Sequence, residues 1–301
     1  MNRQNLQMAD NLNDKINSRS IAIVTSTFYP SWYQGSIRKD CTEQEKIDKV
    51  RGDLAMEMLT IAKKKNFQII LIDAGSTKEF LKEVAKIGIK VRKAKDKTLS
   101  PSRQQGFNLA SNIKGIKVIC WTEPEKVSIP KDCLPQTVLP ILKNQADIIV
   151  PKRNKESFAT YPAYQVKNER LANKKWNKML KDRKLLPKEV EELDVYFGPK
   201  FFKNDPRLVK IFLRRYEFQN KKLKQDIWSN AIIFPLISSL DAGYRLMSVD
   251  IPYRHPQKQT EVEKMSRIMK GKREIQYYTI LLTTKLFIEM SVSQRKKLEN
   301  C

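Results

Sequence analysis

Three short polar clusters in this chain each stand at the end of an apolar run. Asp73-Ala74-Gly75-Ser76 closes residues 67–72, Glu123-Pro124-Glu125 closes residues 117–121, and Arg254-His255-Pro256 closes residues 244–251. Carboxylates, a small hydroxyl residue, an arginine and an imidazole are the groups that hold ribose hydroxyls, phosphate oxygens or a divalent cation. Each cluster also has a plainer account. Asp-Ala-Gly-Ser is what a tight turn with an Asx cap requires, Glu123 and Glu125 could be two charges of a solvated loop, and His255 a turn residue. Asp226 is a fourth candidate. It could act as a general base, or it could belong to the charged start of a helix beside Lys222 and Lys224.

The elements that must position these groups alternate along the chain. Ile21-Ala22-Ile23-Val24-Thr25-Ser26-Thr27-Phe28 is a β-branched run that predicts a first buried strand, and further strands are predicted over 67–72, 89–91, 117–121, 146–150 and 244–251. Apolar residues at Ile47, Val50, Leu54, Met58, Leu59 and Ala62 give residues 43–65 helical spacing. Helices are also expected over 77–87, from Ser100 as N-cap with Pro101 first in the helix to about 112, near 133–144, over 223–242, and through most of 261–299. Residues 194–197 look strand-like. Strands separated by helices of this length imply βαβ crossovers, so the expected class is α/β with a mainly parallel sheet covered on both faces. In such sheets ligands bind beyond the carboxyl ends of the strands, which is where the three clusters fall.

The expected organisation is a flexible tail over 1–20, a catalytic domain over 21–257 and a helical extension over 258–301. The domain divides into a regular half, 21–152, and a less regular one, 153–257. Fifty-eight Lys and Arg against 33 Asp and Glu give a net charge of +25, a field that attracts nucleotide phosphates and other polyanions. Lysines occur in nearly every segment, with no basic cluster beside exposed aromatics, so a nucleic-acid partner is not expected. The four cysteines show no CxxC spacing, which argues against a disulfide framework or a zinc site and fits a cytoplasmic setting. Residues 277–290 are apolar between basic flanks. They suit either a buried terminal helix or peripheral contact with an anionic membrane surface. Aromatic residues over 158–202 could form a ligand surface or pack as core, and Asp194-Val195-Tyr196-Phe197-Gly198-Pro199 is the best candidate for the former.

Read together, these motifs resemble the GT-A glycosyltransferases, most closely those of family 2. Ile69-Ile70-Leu71-Ile72-Asp73-Ala74-Gly75-Ser76 is similar to that family's second strand, where Asp-Asp-Gly-Ser is typical; Ala74 replaces the second aspartate. Ser102-Arg103-Gln104-Gln105-Gly106 resembles Ala-Arg-Asn-x-Gly, Ala146 to Arg153 the strand ending in a basic residue, and Asp241-Ala242-Gly243-Tyr244-Arg245 the Ala-Gly-Tyr-Arg turn. Glu123-Pro124-Glu125 stands where the family has Asp-x-Asp. The resemblance covers about residues 21–257.

The resemblance implies a GT-A-like, Rossmann-type fold and transfer of a sugar from a nucleotide-diphosphate donor to an unidentified acceptor (a small molecule, a glycan or a protein). Donor contacts would come from Thr25, Thr27, Asp73, Gly75, Ser76, Arg103, Glu123 and Arg153, and acceptor contacts from Tyr196 and Gly198. Glu125 and His255 would ligate a divalent cation, Mn2+ or Mg2+; the histidine resembles one in mannosylglycerate synthase and its relatives. Asp226 would be the catalytic base of an inverting transfer, while the histidine leans towards retaining enzymes, so the stereochemistry stays open. Two alternatives also stay open: a catalytically inactive GT-A-like binding protein, which the missing Asp-x-Asp favours, and a nucleotidyltransferase, against which the glycine-free segment Thr25 to Pro30 argues.

Overall fold

The computed structural model describes residues 17–216 and 229–298. Strand and helix alternate through β1 (Ile21–Thr27), α1 (Glu43–Lys64), β2 (Gln68–Asp73), α2 (Lys78–Lys86), β3 (Val91–Lys93), α3 (Leu99–Ser111) and β4 (Val118–Trp121). The second half contains α4 (Leu139–Leu142), β5 (Ile148–Arg153), α5 (Lys155–Ala159), α6 (Ala163–Asp182), β6 (Lys200–Lys203), α7 (Pro206–Leu213), α8 (Ser229–Ile232), α9 (Phe234–Asp241) and β7 (Leu246–Ile251). Helices α10 (Gln257–Lys264), α11 (Arg267–Glu289) and α12 (Val292–Leu298) follow. Of the expected tail, residues 1–16 lie outside the described residues, while Ser18–Ser20 form a 3-10 turn with Ser20 buried.

The seven strands form one sheet in the order β3-β2-β1-β4-β6-β5-β7. Every pairing is parallel except those of β6, which runs antiparallel to both β4 and β5. Alternation within β1 sets the layers: Ala22 and Val24 join one core, Ile21 and Ile23 the other. The first face is covered by Phe107 of α3, Trp176 of α6, Phe212 of α7 and Phe287 of α11; the second by Leu54 and Met58 of α1 and Phe80 of α2. Each such fully buried side chain contributes on the order of 1.5–3 kcal/mol. The α1 start is fixed by a capping box in which Thr42 and Glu45 satisfy each other's backbone N–H groups. The α11 helix buries Tyr277, Ile280, Phe287 and Ile288 against this body, leaving Ile275 and Tyr278 exposed. Among the described residues no helix is long and apolar enough to cross a membrane.

Several expectations are corrected. The cap of α3 is Thr98, not Ser100, and Pro101 lies within the first turn, where its missing N–H breaks no intrahelical bond. The helix expected near 133–144 is divided, because Pro130, Pro135 and Pro140 each remove a donor; only Leu139–Leu142 is α-helical. The short third strand starts at Val91, since Gly88 (φ +72°) closes α2 first. The described part of 223–242 is interrupted between Ile232 and Phe234, ahead of Pro235.

Residues 194–197 are not a strand; the strand is Lys200–Lys203. The carbonyls of Val195 and Phe197 turn inward instead, onto the fully buried Lys200 ammonium. Its Nζ donates to the carbonyl oxygens of Val195 (3.2 Å), Pro199 (3.2 Å), Gly198 (3.4 Å) and Phe197. Burial lowers the Lys200 pKa to about 7, against the pull of Asp194 and Glu123. An unfolded lysine titrates near ~10.4, so between these values the unfolded chain binds the extra proton and stability rises with pH. The buried thiols of Cys120 and Cys133, shifted upward by burial, act oppositely only above the ordinary thiol range. Between pH 7 and about 8.5 we therefore expect the melting temperature of the wild type to rise more steeply than that of Lys200→Met. Equal slopes in parallel melts would show that Lys200 stays charged in the fold.

Candidate functional site

Parallel register brings the carboxyl ends of β1, β2 and β4 side by side, pairing Thr27 with Asp73 and Val24 with Trp121. The Asp73 carboxylate accepts from the Thr27 hydroxyl (2.8 Å), the Gly75 N–H (3.0 Å) and the Ser76 N–H (3.1 Å). Gly75 adopts φ +130°, a conformation that side chains disfavour. The Ser76 hydroxyl accepts from the Tyr29 N–H at 3.0 Å. Thr27, Asp73, Gly75 and Ser76 thus form one rigid turn, the Asx-capped arrangement that the residues alone allowed. Thr25 lies two residues inside the sheet, fully buried, with a hydroxyl that has no hydrogen-bond partner. It does not reach the rim.

Beyond β4 the two glutamates part. Glu123 turns towards the loop after α6, where its carboxylate packs against Gly198 so closely that a methyl group there would displace it. Burial works to raise the Glu123 pKa, but Lys126, Arg103 and Lys200 outweigh it and hold the group ionised below the usual carboxylate range. The Arg103 guanidinium stacks 4.6 Å over the Trp121 ring. Glu125 turns the other way, towards α1. Its Oε1 accepts from the Tyr29 hydroxyl at 3.0 Å and lies 2.6 Å from Arg51 Nε.

His255 is only 4% exposed and stacks on Tyr161, with ring centroids 4.1 Å apart. Its backbone N–H donates to the Thr160 hydroxyl (2.9 Å), and neither ring nitrogen has a hydrogen-bond partner. Burial first, then the charges of Lys126, Arg273, Arg153 and Arg51, pushes its pKa well below the ordinary histidine value, so the ring is neutral. A neutral imidazole can ligate a metal, but four cations surround this one. Among the described residues no group of three or more His, Cys, Asp and Glu side chains is arranged to hold a metal ion.

Arg153 is engaged elsewhere. Its guanidinium donates through Nε (2.7 Å) and Nη2 (2.8 Å) to both oxygens of Asp194, and its Nη1 lies 2.5 Å from Glu169. All three side chains are buried, so the arginine ties the end of β5 to α6 and to the loop before β6 rather than facing a ligand. Tyr196 sits between α6 and α11: its N–H donates to Asn173 Oδ1 and its hydroxyl to the Tyr277 carbonyl. Gly198, by contrast, faces Glu123. Asp226 lies outside the described residues.

Sequence reasoning missed Arg51, Tyr29, Lys126 and Lys200. Arg51 occupies an ordinary polar position of an amphipathic helix, and nothing in the local pattern separates it from the chain's other basic residues. It also missed a groove of about 960 Å³ beside α6, whose lining includes Lys155, Arg170, Lys174 and Lys181 along with Asn173 and Asn177.

Residues 52–206 match the family model described as Glycosyl transferase family 2. No curated protein matches the chain in sequence. Among solved structures, glucosyl-3-phosphoglycerate synthase from Mycobacterium tuberculosis with Mn2+, UDP and glucosyl-3-phosphoglycerate is similar with TM-score 0.51 and 10% identity, over 88% of this chain and 80% of that one. The same enzyme in complex with phosphoglyceric acid gives 0.50, with the same identity and coverage. A crystal structure described as a mycobacterial protein gives 0.51 at 10% identity, over 90% of this chain and 74% of that one. At this identity the likeness establishes the fold.

Proposed function

We propose, from the premise that the chain belongs to glycosyl transferase family 2, that it moves a sugar from a nucleotide-diphosphate donor held over the carboxyl ends of β1, β2 and β4 to an anionic acceptor. The observation that carries this reading is the rim itself. A rigid Asp73–Ser76 turn ends β2 and, across β1 on the same rim, an ionised, partly exposed Glu123 follows β4, with the charges of Lys126 and Arg103 acting on it. The turn offers a shaped edge for the base and ribose, and Glu123 an acceptor for ribose hydroxyls. The relative crystallised with UDP supports the donor class. The groove beside α6, lined by seven basic and five acidic side chains, and the net charge of +25 support an anionic acceptor, as does the relative crystallised with phosphoglyceric acid. The nucleotidyltransferase alternative finds no support in the family match.

In the transfer, the bond between the anomeric carbon and the diphosphate oxygen breaks, and its electron pair leaves with the diphosphate. The acceptor hydroxyl oxygen bonds to that carbon and gives its proton to a base, for which Asp226 is our candidate. Charge collects on the departing phosphate and must be met by fixed positive groups. That relative also holds Mn2+. Here Glu125 is already paired with Arg51 and Tyr29, and His255 is ringed by cations, so these two residues do not fit a metal-ligand pair.

The test is a panel of UDP-, GDP-, ADP- and dTDP-sugars, followed by thermal shift and by release of the nucleoside diphosphate, each with and without Mn2+. One donor should raise the melting temperature and be turned over. A panel in which no donor shifts the protein, with or without the metal, would sink the proposal and favour the inactive binding protein.

A further inference from the structure

Arg51 stands where a cation is needed. Its Nε lies 2.6 Å from Glu125 Oε1, the oxygen that also accepts from Tyr29. Glu125 is the second acid of the Glu-Pro-Glu that follows β4, so the guanidinium occupies the position that a divalent ion would take against that carboxylate. The two partners differ in access: 32% of the Arg51 side chain is exposed, against 4% of Glu125. The arginine is therefore the outward member of the pair. A planar guanidinium held against a carboxylate by charge still presents its N–H groups in a fixed fork, which suits phosphate oxygens. Lys126 reinforces the field, with its ammonium 5.0 Å from the Phe197 ring centroid and 3.9 Å from Glu123. Arg273 and Arg153 add positive charge around His255. Lys126 and Arg153 are themselves paired with acids, so the deciding contact is that of Arg51: an arriving divalent cation would have to displace a guanidinium already seated against Glu125, whereas a diphosphate would be attracted to its outward side.

We propose that Arg51, oriented by Glu125 and Tyr29, is the cation that binds the donor's diphosphate, and that this enzyme binds its donor without a divalent metal. This inference rests on the reading of the rim as a nucleotide-sugar site. Arg51 holds the β-phosphate oxygens as the glycosidic electron pair moves onto them. Glu125 is a positioning residue that sets the plane of the guanidinium, and the Tyr29 hydroxyl fixes the shared oxygen.

The experiment uses the full chain, stripped with EDTA, and calorimetric titration with UDP, GDP, ADP and the matching monophosphates, repeated with added Mn2+. We expect one diphosphate to bind more tightly than its monophosphate in EDTA, with an affinity that Mn2+ leaves unchanged. Arg51→Met should weaken that diphosphate about 10- to 100-fold, the worth of a charge-assisted hydrogen bond, and leave the monophosphate alone; Arg51→Lys should fall between. Should Arg51→Met not fold, the wild-type comparison with and without Mn2+ still decides. Diphosphate binding that requires Mn2+, or a preference for diphosphate that survives in Arg51→Met, overturns the inference and leaves the donor reading standing. Binding of no nucleotide under either condition overturns both.

Discussion

Arg153→Met should destabilise the fold by about 3–5 kcal/mol, the cost of leaving buried charges without their partner. Asp194 and Glu169 are 3% and 2% exposed, and the guanidinium meets both. Asp194 is further held by Asn173 Nδ2 at 2.7 Å, and burial, which works against its ionised form, is outweighed by Arg153 and these hydrogen bonds. With methionine in place, two carboxylates remain in a low-dielectric interior with only Asn173, Gln165, Tyr277 and the backbone N–H of residue 153 to hold them. Thermal melts should show a fall of roughly 6–20 °C for a domain of this size. The sequence resemblance implies the opposite pattern, since an arginine that faces the donor would lose nucleotide affinity with little loss of stability. Replacing Arg153, Asp194 and Glu169 together by apolar residues of similar volume should recover much of the loss, because the penalty belongs to the unpaired acids rather than to the missing contact. A single Arg153→Met protein that melts like the wild type would refute the network.

The sheet was largely legible because its signal is local. Ile21-Ala22-Ile23-Val24, buried throughout, and Ile69-Ile70-Leu71-Ile72, buried at its last two residues, are apolar runs rich in β-branched residues, and such runs announce strands without tertiary help. The helix at α1 announced itself through spacing. What failed was decided at a distance. Residues 194–197 read as strand because Val195, Tyr196 and Phe197 favour it, but the ammonium of Lys200 captures the carbonyls of Val195 and Phe197. That capture is specified only by how the loop folds around one lysine among many. The site divides in the same manner. The clustering of Thr27, Asp73, Gly75 and Ser76 follows from strand-end chemistry, and it was visible. The parting of Glu123 and Glu125 was not, because two acids flanking a proline carry no sign of their separate partners. Arg51 lies 74 positions upstream of Glu125 in the chain, and a pairing over that span has no local signature. Position 153 illustrates the limit of a motif: a basic residue after β5 matches the family, yet the acids of α6 and the following loop enclose it.

Asp226→Asn is expected to lower turnover by about 10²–10⁴-fold, the usual contribution of a positioned general base, while the affinity for the nucleotide sugar stays as in the wild type. A base must accept a proton near neutral pH, which a carboxylate does poorly when nearby cations depress its pKa. Glu123 is such a group, held ionised by Lys126, Arg103 and Lys200. It is suited to accepting hydrogen bonds from ribose and unsuited to taking the acceptor's proton. Glu125 is neutralised by Arg51, and Asp73 has its oxygens occupied by the turn. The remaining acid that the family resemblance puts forward is Asp226, in Lys224-Gln225-Asp226-Ile227-Trp228. The amide keeps shape and removes basicity, so binding and chemistry separate: KM for the donor should hold while kcat falls. Glu123→Gln should give the reverse, a weakened donor affinity with kcat less affected. If the two kinetic patterns are exchanged, the proton goes to Glu123, and the cations around it serve to bind a ligand rather than to silence a base.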